Sequence, residues 1–134
     1  MTVLLQQGKV AANPVAVLPL GATECHGPHL APDVDWIIAE AVARRGVALL
    51  APDAAIEVLP VEKTGYSIEH ADFPETRTLA FDEAVERWIA IGESCHRRGI
   101  RRFVMLNAHG GNQTKPAATL GIDYRFVSPQ VDKY

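Results

Sequence analysis

Short apolar runs along the chain predict the strands of a sheet. Residues Val15 to Leu20 are almost wholly apolar and stop at a glycine, which is typical of a buried strand. Val47 to Pro52 and Ala55 to Pro60 are further strand candidates, and the first is the stronger on its pattern. Arg101 to Asn112 is expected to be a strand that runs into a glycine turn.

Two other segments have apolar residues at helical spacing. In "DVDWIIAEAVARRG", Asp33 is the expected N-cap and Gly46 the expected stop. Its predicted buried stripe consists of Ile37, Ile38, Ala41 and Val42. A second helix is predicted from Leu79 to Arg98, ended by Gly99. Its stripe consists of Phe81, Val85, Trp88, Ile91 and Cys95.

The alternation of strands and helices predicts an α/β fold, with a mainly parallel sheet flanked by helices. A length of 134 residues fits one domain, spanning 1–134 with an atypical tail from about residue 113. Ligands of such sheets bind at the carboxyl ends of the strands. Two of the predicted strands end there in histidine-containing loops, "TECHGPH" and "NAHGGN". The long segment Glu62 to Thr78 has no steady period and is expected to be a functional loop.

Composition narrows the possible partners. A formal charge of −3 provides no general attraction for nucleic acid or anionic membranes. The basic run "RRGIRR" is interpreted as a solvated helix end. Two cysteines, no signal-peptide pattern and no membrane-spanning apolar run predict a cytoplasmic protein.

Four residues of the two histidine-containing loops and the first helix could form one site. Glu24 and His26 are one residue apart, so an extended chain places them on the same face. Asp35 lies at the start of the helix and His109 at the neighbouring strand end. Two carboxylates and two imidazoles suit zinc or manganese better than calcium, and a carboxylate such as Asp35 can bridge two cations.

Other interpretations stay open at this point. A Glu-x-His pair is common in solvated loops. Cys25 could join His26 and His29 in a structural zinc site, although the usual pair of thiolates is absent. Trp36 and Trp88 are expected in the core or at an interface.

Three motifs then carry a family resemblance. "LPLGATECHGPHLAPDVDW", "GYSIEHADFPETRTL" and "NAHGGN" resemble, in this order, three motifs of the creatininase (creatinine amidohydrolase) family, from Ala16 to about Asn112. The resemblance implies a three-layer α/β sandwich and a homo-oligomer, commonly a hexamer. It also implies two divalent metals that activate water for attack on an amide or cyclic amide carbon.

Residue roles follow from the resemblance. Glu24 and His109 would bind one metal and His26 the other, with Asp35 bridging them and Ser67 beside the substrate. Glu24 and Asp35 would therefore be the catalytic residues. Zn²⁺ is the expected ion, with Mn²⁺ or Fe²⁺ as alternatives, at one or two per chain. The expected activity is hydrolysis of a non-peptide C–N bond in a small cyclic amide or formamide, and the alternative is a non-catalytic metal-binding subunit.

The sequence departs from the family pattern after the third motif. Some members place a glutamate where this chain has Gly111, others place further site residues later, and no histidine or glutamate follows His109 here. Glu75 also stands where the family usually has glycine. The expectation is a C-terminally shortened chain. Such a chain keeps only the first metal, or has its site completed by another polypeptide or a neighbouring subunit.

Overall fold

A three-stranded parallel sheet organises the computed structural model, which describes residues 13–112. Its strands are β1 (Val15–Leu20), β2 (Ile56–Val58) and β3 (Arg102–Asn107), in the order β2-β1-β3. In the register, Val15 of the central strand lies opposite both Ile56 and Arg102. Parallel strands that are buried on both faces are typically apolar throughout, which accounts for the continuous apolar run of β1.

In the described part of the chain, two helices cover the sheet, α1 (Val34–Ala48) and α2 (Phe81–Arg97). The crossovers β1-α1-β2 and β2-α2-β3 run in opposite directions across the sheet. Right-handed crossovers that run in opposite directions place their helices on opposite faces. The predicted α/β class, a parallel sheet flanked by helices, is therefore confirmed.

The main core lies between β1 and α2. Ala16, Leu18 and Leu20 alternate along one face of β1 and pack with α2. The predicted stripe of α2 supplies Trp88 and Cys95, each 2% exposed, so this helix is confirmed. Gly99 follows the helix end with φ of +89°, a conformation that favours glycine.

The first helix differs from its predicted pattern. Its buried residues are Asp35, Ala39 and Ala43, whereas the predicted stripe is largely solvent-exposed. The two alanines permit a close approach to the sheet, and the branched side chains project away from it. Ile37, Ile38 and Val42 are 47%, 43% and 49% exposed.

The N-terminal boundary of α1 is as predicted and its C-terminal boundary is not. Asp33 occupies the predicted N-cap position, although its side chain makes no capping hydrogen bond. Gly46 does not end the helix, because a single glycine inside a helix costs only about 1 kcal/mol. Val47 to Pro52 is therefore helix end and turn rather than strand, and the second candidate run supplies β2.

The basic run lies where it was predicted, at the end of α2. Arg101 Nη1 donates to the His96 carbonyl oxygen over 2.7 Å, and Arg98 forms an ion pair with Glu57 of β2. No helix within the described part of the chain is both long and apolar enough to cross a membrane. The predicted extent of the domain, 1–134, and its tail from about residue 113 reach outside the described residues and stay predictions.

Candidate metal centre

A close contact between the end of β1 and the start of α1 brings the first motif into one place. Gly21 follows β1 and packs directly against the backbone of Trp36. Any side chain at position 21 would collide with that backbone, so glycine is what allows the helix to begin here. Asp35 consequently lies beside Glu24 and His26.

Strand register brings in the third motif. Leu20 is paired with Asn107, and the Ala108 N–H donates to the Leu20 carbonyl oxygen over 2.9 Å. His109 follows directly and reaches the same end of the sheet. Asn112 closes this corner: its amide nitrogen donates to the Gly21 carbonyl oxygen (3.1 Å), and its amide oxygen accepts from the Tyr66 N–H (3.0 Å).

The loop from Glu62 to Thr78 is attached along the first motif. The Arg77 N–H donates to the Thr23 carbonyl oxygen over 2.8 Å, and the Cys25 N–H donates to Thr76 Oγ1 over 3.1 Å. These bonds hold a short 3-10 turn, Ile68–His70, against the site. The loop therefore forms one wall of the site, as expected of a functional loop.

The structure brings together all four predicted metal ligands. Asp35 Oδ1 lies 3.1 Å from His26 Nε2, and Asp35 Oδ2 lies 3.1 Å from His109 Nδ1. Glu24 Oε1 lies 3.1 Å from His109 Nδ1 and 3.7 Å from His26 Nε2. Asp35 thus directs one oxygen to each imidazole, while one oxygen of Glu24 lies near both.

Backbone carbonyls determine which ring nitrogen of each histidine is free. His26 Nδ1–H donates to the Glu24 carbonyl oxygen over 2.9 Å, and His109 Nε2–H donates to the Tyr66 carbonyl oxygen over 2.9 Å. Carbonyl oxygens only accept, so these two nitrogens carry the protons. His26 Nε2 and His109 Nδ1 therefore point their lone pairs at carboxylate oxygens. Such an arrangement is stable only with a proton or a cation between them.

The donor set fits a divalent cation. Two ligand atoms that each lie about 2.1 Å from one ion, at 90–109°, are roughly 3.0–3.4 Å apart, which matches the three 3.1 Å separations. Glu24 and His109 have side chains only 7% exposed. Glu24 Oε2 is buried and has no hydrogen-bond partner among residues 13–112. Two buried carboxylates, one with an unpartnered oxygen, require a balancing positive charge.

The imidazole of His109 already responds to this charge. Burial has the largest influence and lowers its pKa, whereas the hydrogen bond to Asp35, the bond to the Tyr66 carbonyl oxygen and the charges of Glu24 and Asp35 raise it. The net result is a pKa above the ordinary value of 6.5. Without a metal, the two carboxylates therefore favour the protonated form of His109.

Ser67 lies next to this histidine. Its side chain is fully buried, and Oγ lies 3.1 Å from His109 Nε2. The hydroxyl therefore contacts the outer side of His109, away from the two carboxylates. Its predicted position beside the substrate stays a prediction.

The alternative zinc site receives no support from the geometry. Within residues 13–112, Glu24, His26 and Asp35 form a group of possible ligands whose donor atoms lie within 4.8 Å of one another. Cys25 is only half-buried, its N–H bonds Thr76, and His29 is exposed. Neither joins that group.

Sequence reasoning assigned no role to two residues of the site. His70 Nε2 lies 3.9 Å from Glu24 Oε2, and Asn112 makes the bonds described above. Both stand inside the quoted motifs, and a histidine in a functional loop was the available signal for His70. Nothing in its spacing indicated that the loop folds back onto Glu24.

Known proteins with similar sequences identify the family to which these motifs belong. A family model described as creatininase, creatinine amidohydrolase, matches residues 4–127. The mycofactocin precursor peptide peptidase of Mycobacterium tuberculosis (strain CDC 1551 / Oshkosh) is 39% identical over 108 residues, 76% of this chain and 43% of that protein. Creatinine amidohydrolase of Pseudomonas putida is 31% identical over 112 residues, 79% of this chain and 42% of that protein.

Solved creatininase structures have a fold similar to that of this chain. A mutant creatininase of the Zn-Zn type superposes with a TM-score of 0.72 at 28% identity, covering 83% of this chain and 43% of that one. The manganese form has a TM-score of 0.71 at 27% identity, covering 84% and 48%. The chain thus spans less than half the length of each of these proteins.

Proposed function

Because the chain belongs to the creatininase family, we propose that it acts as a metal-dependent hydrolase of an amide C–N bond. Glu24, His26, Asp35 and His109 are the proposed metal ligands. The observation that supports this most directly is that each oxygen of Asp35 lies 3.1 Å from the free nitrogen of a different histidine. Such a carboxylate is suited to bridge two cations.

The proposed occupancy is one or two divalent ions per chain, and the position of the two Asp35 oxygens at different histidines favours two. Asp35 Oδ2, Glu24 and His109 would hold one, and Asp35 Oδ1 and His26 the other. Zinc is the proposed ion, with manganese or iron as alternatives, because mixed nitrogen and carboxylate ligands suit these metals. The related solved structures are zinc and manganese forms.

The ions would supply an acidified water and a polarised carbonyl. The residues of this chain supply binding and orientation. The Glu24 and Tyr66 carbonyl oxygens hold the rings of His26 and His109, so each ring presents its free nitrogen to the site. Asp35 and Glu24 supply the negative charge that holds the ions.

The bond that is cleaved has two candidates. The predicted substrate is a small cyclic amide or formamide, in line with the family description as creatinine amidohydrolase. A peptide bond is the second candidate, because a relative at 39% identity is named a precursor peptide peptidase. Both reactions use the same attack on an amide carbon.

The alternative is a non-catalytic metal-binding subunit, and one experiment separates the two. Purified protein is desalted, its zinc and manganese are measured, and it is assayed with creatinine, a formamide and a peptide panel. We expect bound metal and hydrolysis of one substrate class, both abolished in Asp35→Asn and kept in Asp33→Asn, the control two positions earlier. Metal without turnover supports the subunit, and a metal-free wild-type protein contradicts both.

Other proposals concern partners and location. We propose a homo-oligomer with a small-molecule or peptide partner and no nucleic-acid or membrane partner. The exposed apolar side chains of α1 support the oligomer, because such patches usually mark protein contacts. A cytoplasmic location also stays a prediction.

A further inference from the structure

His70 stands at the open side of the metal centre. It ends the 3-10 turn Ile68–His70, and its side chain is 42% exposed, compared with 7% for the Glu24 side chain. Its ring packs at a tilt against Phe73, with 6.3 Å between centroids. Nε2 lies 3.9 Å from Glu24 Oε2, the buried oxygen without a partner among the described residues.

We propose that His70 is a further ligand of the metal centre, binding through Nε2 the cation that Glu24 Oε2 holds. This inference rests on the proposed function, since it adds a ligand to the same site. It makes Glu24 a carboxylate that contacts metal through both oxygens, with imidazoles on both sides.

The separation of 3.9 Å fits an intervening cation better than a direct bond. It is too long for a hydrogen bond between a ring nitrogen and a carboxylate oxygen. At angles of 90–109°, two atoms that each lie about 2.1 Å from one ion are roughly 3.0–3.4 Å apart, so Nε2 needs to approach Oε2 by only about 0.5–0.9 Å for both to bind one cation. A merely packing histidine would leave the buried Oε2 of Glu24 without a partner among residues 13–112, which is costly.

The backbone holds His70 in this place. The His70 N–H donates to the Ser67 carbonyl oxygen over 3.1 Å, and the Phe73 N–H donates to the His70 carbonyl oxygen over 3.1 Å. Together with the bonds of Thr76 and Arg77 to the first motif, they fix the turn against Glu24. Ligand binding therefore requires little more than rotation of the ring.

Metal affinity tests the proposal directly. Zn²⁺ and Mn²⁺ dissociation constants are measured by chelator competition in wild type, His70→Ala and His70→Phe. The phenylalanine keeps the ring contact with Phe73 and so separates ligand loss from packing loss. We expect both variants to weaken binding at least about tenfold, the lower limit even for groups that only support a ligand. His29→Ala, an exposed histidine outside the site, should leave the affinity unchanged.

A second readout follows the ring itself. Diethyl pyrocarbonate modifies free imidazole nitrogens, and the modified histidines are located by mass spectrometry with and without zinc. We expect zinc to protect His70, whereas the exposed His29 and His96 remain reactive. Unprotected His70, or unchanged affinity in both His70 variants, overturns this inference but leaves the proposed function standing. A wild-type protein that binds no metal overturns both.

Discussion

Asp35 at the start of α1 and His109 after β3 are far apart in the sequence, yet Asp35 Oδ2 lies 3.1 Å from His109 Nδ1. The contact depends on two features of the fold. Gly21 lets α1 start against the end of β1, and the pairing of Leu20 with Asn107 delivers His109 to the same end. The site thus lies at the carboxyl ends of the adjacent parallel strands β1 and β3, beside the start of α1.

The two oxygens of Asp35 predict that the histidines contribute to separate ions. His26→Ala removes the imidazole beside Oδ1 and leaves Glu24, Oδ2 and His109 in place. We expect this variant to fall from two bound ions to one, whereas Asp35→Asn loses both. Metal analysis after exhaustive desalting measures the ratio.

A matched control for this prediction is His96→Ala, which removes an exposed imidazole from the end of α2. It should keep both ions. Loss of both ions in His26→Ala, with folding intact by circular dichroism, would show that the centre binds metal as one unit.

In the metal-free protein, the contribution of His109 to stability should fall as pH rises. The folded-state pKa of His109 is raised, chiefly by its bond to Asp35 against the opposing effect of burial. Its contribution to stability is therefore complete below the unfolded value of 6.5, and it disappears as pH rises through the folded pKa. Urea unfolding of chelator-treated wild type and His109→Gln, compared across this range, measures the difference.

The difference between the two proteins isolates His109 from other titrating groups. We expect wild type to exceed His109→Gln by more at acid pH than at alkaline pH. A difference that grows with pH would contradict the assigned sign.

The site was more predictable from sequence than the face of α1. The grouping of Glu24, His26, Asp35 and His109 was predicted because the strand ends of a parallel sheet meet at one edge, and the structure brings these side chains together. For α1, the apolar period placed Ile37, Ile38 and Val42 inside, and the structure buries alanines instead. Helical spacing shows that a helix has an apolar face, but whether that face meets the sheet depends on how closely the backbones approach.

Local pattern also fails for residues that act through tertiary contacts. His70 and Asn112 have no periodic or motif spacing that indicates a contact with Glu24 or Gly21. Val47 to Pro52 has a stronger strand pattern than β2, yet the helix continues into it. Ile56–Val58 becomes β2 because it pairs with β1, and the strand propensity of a single segment carries no information about that pairing.

The exposed side of α1 predicts self-association. Ile38 and Val42 are 43% and 49% exposed, and lysines at both positions would place charge in any contact they form. We expect the double variant Ile38→Lys/Val42→Lys to have a lower sedimentation coefficient than the wild-type oligomer. Ile89→Lys, at 41% exposure on α2, serves as the control and should leave assembly unchanged. A wild-type protein that sediments as a monomer contradicts the prediction.

Two adjacent glycines after His109 should differ sharply in what they tolerate. A Cβ at Gly111 would collide with the Tyr66 carbonyl oxygen and with the His109 ring, whereas a Cβ at Gly110 meets nothing within 4 Å. Neither has a positive φ, so space rather than backbone conformation makes the difference.

We expect Gly111→Ala to destabilise the fold by about 1–3 kcal/mol, as other overpacked sites do. It should also weaken metal binding, because the ring must leave the Tyr66 carbonyl oxygen. Gly110→Ala should stay within about 1 kcal/mol of wild type and bind metal normally. Urea unfolding and chelator competition measure both effects, and equal behaviour of the two variants would show that His109 is not held in place by this contact.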